Sequence, residues 1–222
     1  MTGPRSPGRD VLLYFPHNGT VQTEFMLSVL ATLNDPASRV GEMRHLQAGP
    51  LLGAARNQIT TDFLANSPWE WLWMVDSDMI FTPKALGLLL AAADPADRPV
   101  MGALCWIPGE SRKLPTMYKP DLVGGRASFS HIFDYEPGAT VRVAATGAAC
   151  LLLHRSVFKR LEAANGESAG LWWSPLAVDG QEFGEDFSFC IRCADAGIPV
   201  HVCTGAETGH VKAAIFGRAG PA

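Results

Sequence analysis

Along the chain, short unbroken apolar runs alternate with longer stretches whose apolar residues recur every three or four positions. The first run, VLLYFP at 11–16, predicts a strand. His17-Asn18-Gly19 predicts the turn after it, with Thr20 capping a helix whose inner face is Val21, Phe25, Val29 and Leu33. A second strand is predicted at 40–46, a loop at 47–53, and a helix at 54–65 with Ile59 and Phe63 facing inward. The apolar run from Trp71 then ends abruptly in Asp76-Ser77-Asp78. It is too short to cross a bilayer and reads as a strand buried on both faces of a parallel sheet, closed by Thr82-Pro83.

Pro83 opens the next predicted helix, with Leu86, Leu89 and Leu90 on one face and an end near Asp94-Pro95. PVMGALCWI at 99–107 predicts a strand in which Gly102 and Ala103 leave room for a ligand or a neighbouring backbone. Pro, Gly and Ser crowd the segment 108–137, which predicts loops and short antiparallel strands. The apolar pattern resumes over 141–154, broken at Thr146-Gly147, and Ser156 is placed to cap a short helix carrying Val157, Phe158 and Leu161. A polar loop is predicted at 163–180, though it carries Trp172 and Trp173. Phe183, Phe187, Cys190, Ile191 and Ala194 then share a helix face, stopped by Gly197 and Pro199. The last strand is PVHVC at 199–203, with His210 on the loop beyond.

Strand and helix alternate through the amino-terminal half, so the expected class is α/β: a three-layer α/β/α sandwich on a mostly parallel, mixed central sheet. With 222 residues, 47% of them apolar, one domain at 10–212 is expected between polar tails at 1–9 and 213–222. A formal charge of −4 excludes an overall basic protein. No stretch approaches a membrane span and the amino terminus lacks the apolar core of a secretory signal, which places the protein in the cytoplasm. Five cysteines, an odd number within apolar segments, fit reduced buried thiols; Cys190 and Cys193 have CxxC spacing but read as apolar helix positions.

Placed on this sketch, the polar features gather at one rim of the sheet, where open α/β sheets bind ligands: His17, Arg56-Asn57, Asp76 and Asp78, Glu185-Asp186, and His210. Two carboxylates at the end of an apolar strand need a cation or donors, and a divalent ion is the natural partner. Arg56 and Asn57 fall in the first turn of their predicted helix, where free backbone N–H groups and a cation hold an anion. Each feature has a plainer reading: a capped strand end, acidic partners of a helix dipole, a solvated loop histidine.

Taken together, Arg56-Asn57, Asp76-Ser77-Asp78, Thr146-Gly147 before LLLHRSVF, Gly184-Glu185-Asp186 and His210 resemble a GT-A-type glycosyltransferase similar to the family 2 group, over about 11–211. The resemblance implies a nucleotide-sugar donor whose diphosphate is bridged by Mn2+ or Mg2+. Asp78 would bind the metal, Asp76 the metal or the ribose, and His210 would be the third ligand. Pro16, His17, Arg56, Asn57, Asp76 and Ser77 would line the donor, with Arg56 offsetting charge on the departing diphosphate. In inverting members the position of Asp186 is the base, with Glu185 beside it; in retaining members such a pair orients the sugar. Trp172 and Trp173 read either as a stacking platform for an acceptor or as loop packing. The acceptor hydroxyl, of a glycan, a lipid-linked precursor, a protein or a modified nucleic-acid base, is not specified.

Two other readings compete. A haloacid-dehalogenase-like phosphatase also follows an apolar strand with two aspartates, but here position 80 is Ile and the strand comes third. A non-catalytic nucleotide- or carbohydrate-binding module would keep the same residues without turnover.

Overall fold

The computed structural model describes residues 8–165 and 170–212. In chain order the elements are β1 (Val11–His17), α1 (Thr23–Asn34), β2 (Val40–Gln47), α2 (Leu52–Asn66), β3 (Trp71–Val75), β4 (Met79–Ile80) and α3 (Pro83–Ala92). There follow β5 (Val100–Leu104), β6 (Trp106–Ile107), β7 (Leu114–Pro115), β8 (Met117–Val123), β9 (Arg126–His131), β10 (Thr140–Val143), β11 (Ala145–Thr146), β12 (Cys150–His154) and α4 (Arg155–Asn165). The chain continues with β13 (Leu176–Val178), β14 (Gln181–Phe183), α5 (Glu185–Asp195), β15 (Val200–Glu207) and β16 (Gly209–His210). Of the tails expected at 1–9 and 213–222, residues 1–7 and 213–222 lie outside the described residues, and Arg9 is tied down by a hydrogen bond from Nη1 to Val40 O at 3.2 Å. No helix among the described residues is long and apolar enough to cross a membrane.

Seven strands form the main sheet in the order β10-β15-β5-β12-β3-β1-β2. β2, β1, β3, β5 and β15 run one way, while β12 and β10 run against them. From β1 the chain steps outward through α1 to β2, then back through α2 to β3 on the other side of β1. Right-handed crossovers in opposite directions put their helices on opposite faces. Two cores follow. Phe25 and Val29 of α1 and Leu86 and Leu89 of α3 pack on Val11, Leu13, Trp73 and Leu152. Ile59 and Phe63 of α2, Phe158 of α4 and Phe189 of α5 pack on Leu12, Leu72, Met74, Leu151 and Leu153. Successive residues of one strand thus serve alternate faces, and β3, covered on both, is buried throughout.

Several expectations shift locally. α1 starts after Gln22, and the Thr20 hydroxyl instead donates to Asn18 Oδ1 at 2.9 Å, closing the turn. Ser156 lies inside the first turn of α4, whose start is Arg155, and its Oγ donates to Pro95 O at 3.2 Å. The run at 141–154 is split between β10 at the sheet edge, β11 beside β8, and β12 between β3 and β5. Gly102 faces the Thr146 and Val202 side chains, so its small size serves strand packing. All five cysteines are free and buried.

Gly41 of β2 has no room for a methyl group, because a Cβ there would collide with the ring of buried Trp69. Trp69 is itself held by its indole N–H to Glu42 Oε2 at 3.0 Å. Gly41→Ala is therefore expected to cost about 1–3 kcal/mol by overpacking, measured as a lower urea midpoint. A midpoint equal to wild type would mean that Trp69 turns aside freely.

Candidate functional site

The order of strands reverses between β1 and β3, and ligands of open α/β sheets bind beyond the strand ends at such a point. Here a cleft of about 260 Å3 opens there, lined by Pro16, His17, Gly49, Asp76, Ser77 and Asp78. His17 closes β1 rather than forming a turn, and its Nε2 faces His45 Nδ1 at 3.0 Å. Ser77 O accepts the Gln22 N–H at 3.2 Å, tying the start of α1 to the aspartate turn.

Asp76 stands where β3 ends. Its N–H donates to Ala149 O at 2.8 Å, and its carboxylate accepts Arg56 Nη2 at 2.9 and 3.0 Å. Arg56 Nη1 donates to Glu185 Oε1 at 2.6 Å. One guanidinium, 2% exposed, thus joins the end of β3 to the first residue of α5. Burial pushes the Asp76 carboxyl above its ordinary value; Arg56 opposes this and the charge of Asp78 adds to it.

Arg56 does not sit in a first turn. α2 begins at Leu52, two residues earlier than the pattern predicts, so Arg56 lies one turn inside the helix, turned to two carboxylates rather than toward the helix N-terminus. Asn57 is likewise spent on structure: its Oδ1 accepts the Trp173 N–H at 3.0 Å and its Nδ2 lies 3.4 Å from Ser174 Oγ. The tryptophans are not a platform. Trp172 and Trp173 are 4% and 0% exposed; the Trp173 ring stacks on Phe189 at 4.0 Å and its indole N–H donates to Thr60 Oγ1 at 3.0 Å. Gly53 lets this loop close on α2, since a Cβ there would come within 2.5 Å of Trp173 O.

Asp78 meets the carboxyl-terminal part of the described chain. β16 pairs antiparallel with β4, setting His210 opposite Met79, and Val211 N–H donates to Asp78 O at 2.8 Å. His210 Nε2 consequently lies 2.9 Å from Asp78 Oδ2. Lys212, which the sequence pattern did not single out, reaches the same oxygen at 3.2 Å. His210 Nδ1 is buried and has no hydrogen-bond partner.

Glu185 and Asp186 open α5 with no side-chain cap before them. Asp186 Oδ1 accepts the Phe187 N–H at 2.8 Å. Burial holds the Asp186 carboxyl above its usual value; the Phe187 N–H pulls it down, Glu185 pushes it up and Arg56 again lowers it. Its charge in turn helps burial to push the Tyr118 phenol up to about 12.

Among the described residues, no three His, Cys, Asp or Glu side chains converge on one point. Asp78 and His210 offer two ligands: Oδ2 and Nε2 are 2.9 Å apart, and neighbouring ligands of an octahedral ion at about 2.1 Å are themselves about 3 Å apart. A hard oxygen with an imidazole nitrogen suits Mn2+ better than Mg2+, and water or other oxygens would have to complete the shell. Asp76, Asp78, Glu185 and Asp186 also outnumber the cations Arg56 and Lys212 by two charges.

No family model matches the sequence, and no curated protein sequence matches it. In three dimensions the chain is similar to GalNAc-T7 crystallised with UDP, GalNAc and Mn2+, with a TM-score of 0.62 at 10% identity, over 93% of this chain and 44% of that one. The chain thus spans less than half the length of that protein. It is also similar to the protein A197 from STIV, with a TM-score of 0.54 at 15% identity, over 88% of this chain and 82% of that one. At such identities the likeness is one of fold: a GT-A-like three-layer α/β/α sandwich on a mostly parallel, mixed sheet.

Proposed function

We propose that residues 10–212 act as a metal-dependent glycosyltransferase, moving a sugar from a nucleotide-sugar donor to a hydroxyl acceptor with inversion, Asp186 being the base. The observation that carries this reading is a run of contacts at the β1/β3 reversal: Asp76 and Asp78 line the cleft, Arg56 ties Asp76 to Glu185, and His210 lies against Asp78. GT-A-like topology supports the choice of donor class, and the structural neighbour crystallised with UDP, GalNAc and Mn2+ gives a concrete donor type to try first.

The nucleoside lies against Pro16, His17 and Ser77 in the cleft, with Asp76 near its ribose. Asp78 and His210 would hold Mn2+ or Mg2+, and the ion would supply positive charge to the departing diphosphate. Lys212 adds a cation beside Asp78. Arg56 positions Asp76 and Glu185 rather than binding the donor itself. Asp186, its pKa raised from the usual Asp value, takes the proton of the acceptor hydroxyl as it attacks the sugar. A cytoplasmic setting belongs to this reading, and five free, buried cysteines, which suit a reducing compartment, support it.

A thermal-shift panel of nucleoside diphosphates and nucleotide sugars, with and without Mn2+, tests the donor half, since ligands of the folded state raise its apparent stability. No stabilisation by any member would overturn it. With the selected nucleotide, Asp78→Ala is expected to abolish Mn2+-dependent binding by calorimetry. His210→Ala is expected to weaken it by about 10- to 100-fold. An unchanged Mn2+ titration in Asp78→Ala would refute the metal assignment.

A further inference from the structure

Five of the six tryptophans are buried; Trp106 alone is partly exposed, one side of it packing against the core. It lines a second cleft, of about 510 Å3, together with Pro108, Lys113, Glu207, His210 and Lys212. Its indole N–H donates to Glu207 Oε1 at 2.7 Å, which fixes the rotation of the ring. Its backbone is held by the β6–β7 pairing, Trp106 opposite Pro115 and Ile107 opposite Leu114. The facing wall is equally anchored: Thr208 N–H donates to Leu104 O at 2.9 Å, and its Oγ1 lies 3.0 Å from Cys105 Sγ. His210 belongs to this cleft and its partner Asp78 to the one at the β1/β3 reversal, so the two clefts adjoin at that pair.

We infer that the second cleft is a saccharide subsite, with Trp106 as its floor. A rigid aromatic face beside charged groups suits a sugar ring, which is apolar on its C–H face and carries hydroxyls around its edge. Glu207 accepts from those hydroxyls, and Lys113 and Lys212 donate to them. This site takes the role that Trp172 and Trp173 cannot fill. The binding chemistry stands on the cleft alone; only its place in a reaction, as the seat of the donor's sugar or of the acceptor's, rests on the transferase reading.

The test follows the Trp106 indole resonance in 1H–15N spectra of the full chain, assigned from its absence in Trp106→Phe. Methyl glycosides of glucose, galactose, mannose and N-acetylglucosamine are titrated to tens of millimolar. At least one is expected to shift that resonance, and Trp106→Ala to weaken its binding about tenfold, with near-UV circular dichroism confirming that the variant is folded. The inference is overturned if no glycoside moves the resonance, if Trp106→Ala binds as wild type does, or if a nucleoside diphosphate alone moves it and sugars do not.

A glycoside displaced by the nucleotide sugar but not by its nucleoside diphosphate marks the donor's sugar seat; one that stays bound marks the acceptor's. Glycoside binding with no nucleotide binding would keep the subsite and sink the transferase reading, and the converse would do the reverse.

Discussion

Replacing Arg56 by methionine is expected to destabilise the fold by about 3–5 kcal/mol, a large fraction of a typical domain's stability of about 5–15 kcal/mol. Methionine fills much of the same volume, so the loss is electrostatic rather than a cavity. Arg56 is 2% exposed and donates to Asp76 and Glu185, whose side chains are 21% and 25% exposed. Without it two part-buried carboxylates face each other, and Asp76 already carries a raised pKa with the guanidinium in place. Arg56→Lys, a point charge in place of a fork, is expected to recover less than half of the loss, because it cannot serve both partners. Adding Asp76→Asn and Glu185→Gln to Arg56→Met is expected to restore most of it. Urea unfolding at pH 7 measures all three; a loss below about 1 kcal/mol in Arg56→Met would show that water replaces the guanidinium.

The Arg56 bridge was not legible in the sequence. Arg56 and Glu185 are 129 positions apart, and no local pattern links a helix interior to the start of a helix so distant. What pattern revealed was burial. Phe25 and Val29, Ile59 and Phe63, and Leu86 and Leu89 all face the sheet as their spacing predicted, because one-sided packing leaves a periodic trace. An apolar run carries no direction, so the insertion of antiparallel β12 between β3 and β5 left no trace in LLL of Leu151 to Leu153.

Two hairpins carry a local turn signal of their own. Val123-Gly124-Gly125-Arg126 and Val178-Asp179-Gly180-Gln181 each put two residues at positive φ between paired strands, the turn that Gly-Gly and Asp-Gly favour. The second lies in what reads as a polar loop. For Trp172 and Trp173 the polar neighbours left a platform and loop packing equally open; Asn57, Thr60 and Gly53 decide it for packing, with the hydrogen bonds and clearance that draw the pair into the core. His210 stood out only through the family resemblance, and its delivery to Asp78 depends on two strands of two residues each, too short to show a period.

Asp186→Asn is expected to lower nucleoside-diphosphate release from the donor by about 10²- to 10⁴-fold while leaving donor binding intact, since it removes a general base and no contact to the nucleotide. The amide is nearly isosteric and its Oδ1 still accepts the Phe187 N–H, so α5 keeps its start. The pH dependence gives a second, independent reading. A base acts only when deprotonated, so the rate rises with pH through its pKa. Burial, reinforced by Glu185, raises that pKa from the usual Asp value, so the acid limb of kcat/KM is shifted upward from that of an ordinary Asp and disappears in the variant. The same shift acts on stability with the opposite sense: an acid whose folded pKa is raised favours the folded state below its unfolded pKa, and that contribution is lost as pH rises through the folded value. Asp186→Asn, which cannot ionise, is thus expected to be more stable than wild type at neutral pH and to lose that advantage in acid. Equal release by both proteins, with an unmoved acid limb, would take Asp186 out of the chemistry and leave it as a dipole partner at the start of α5.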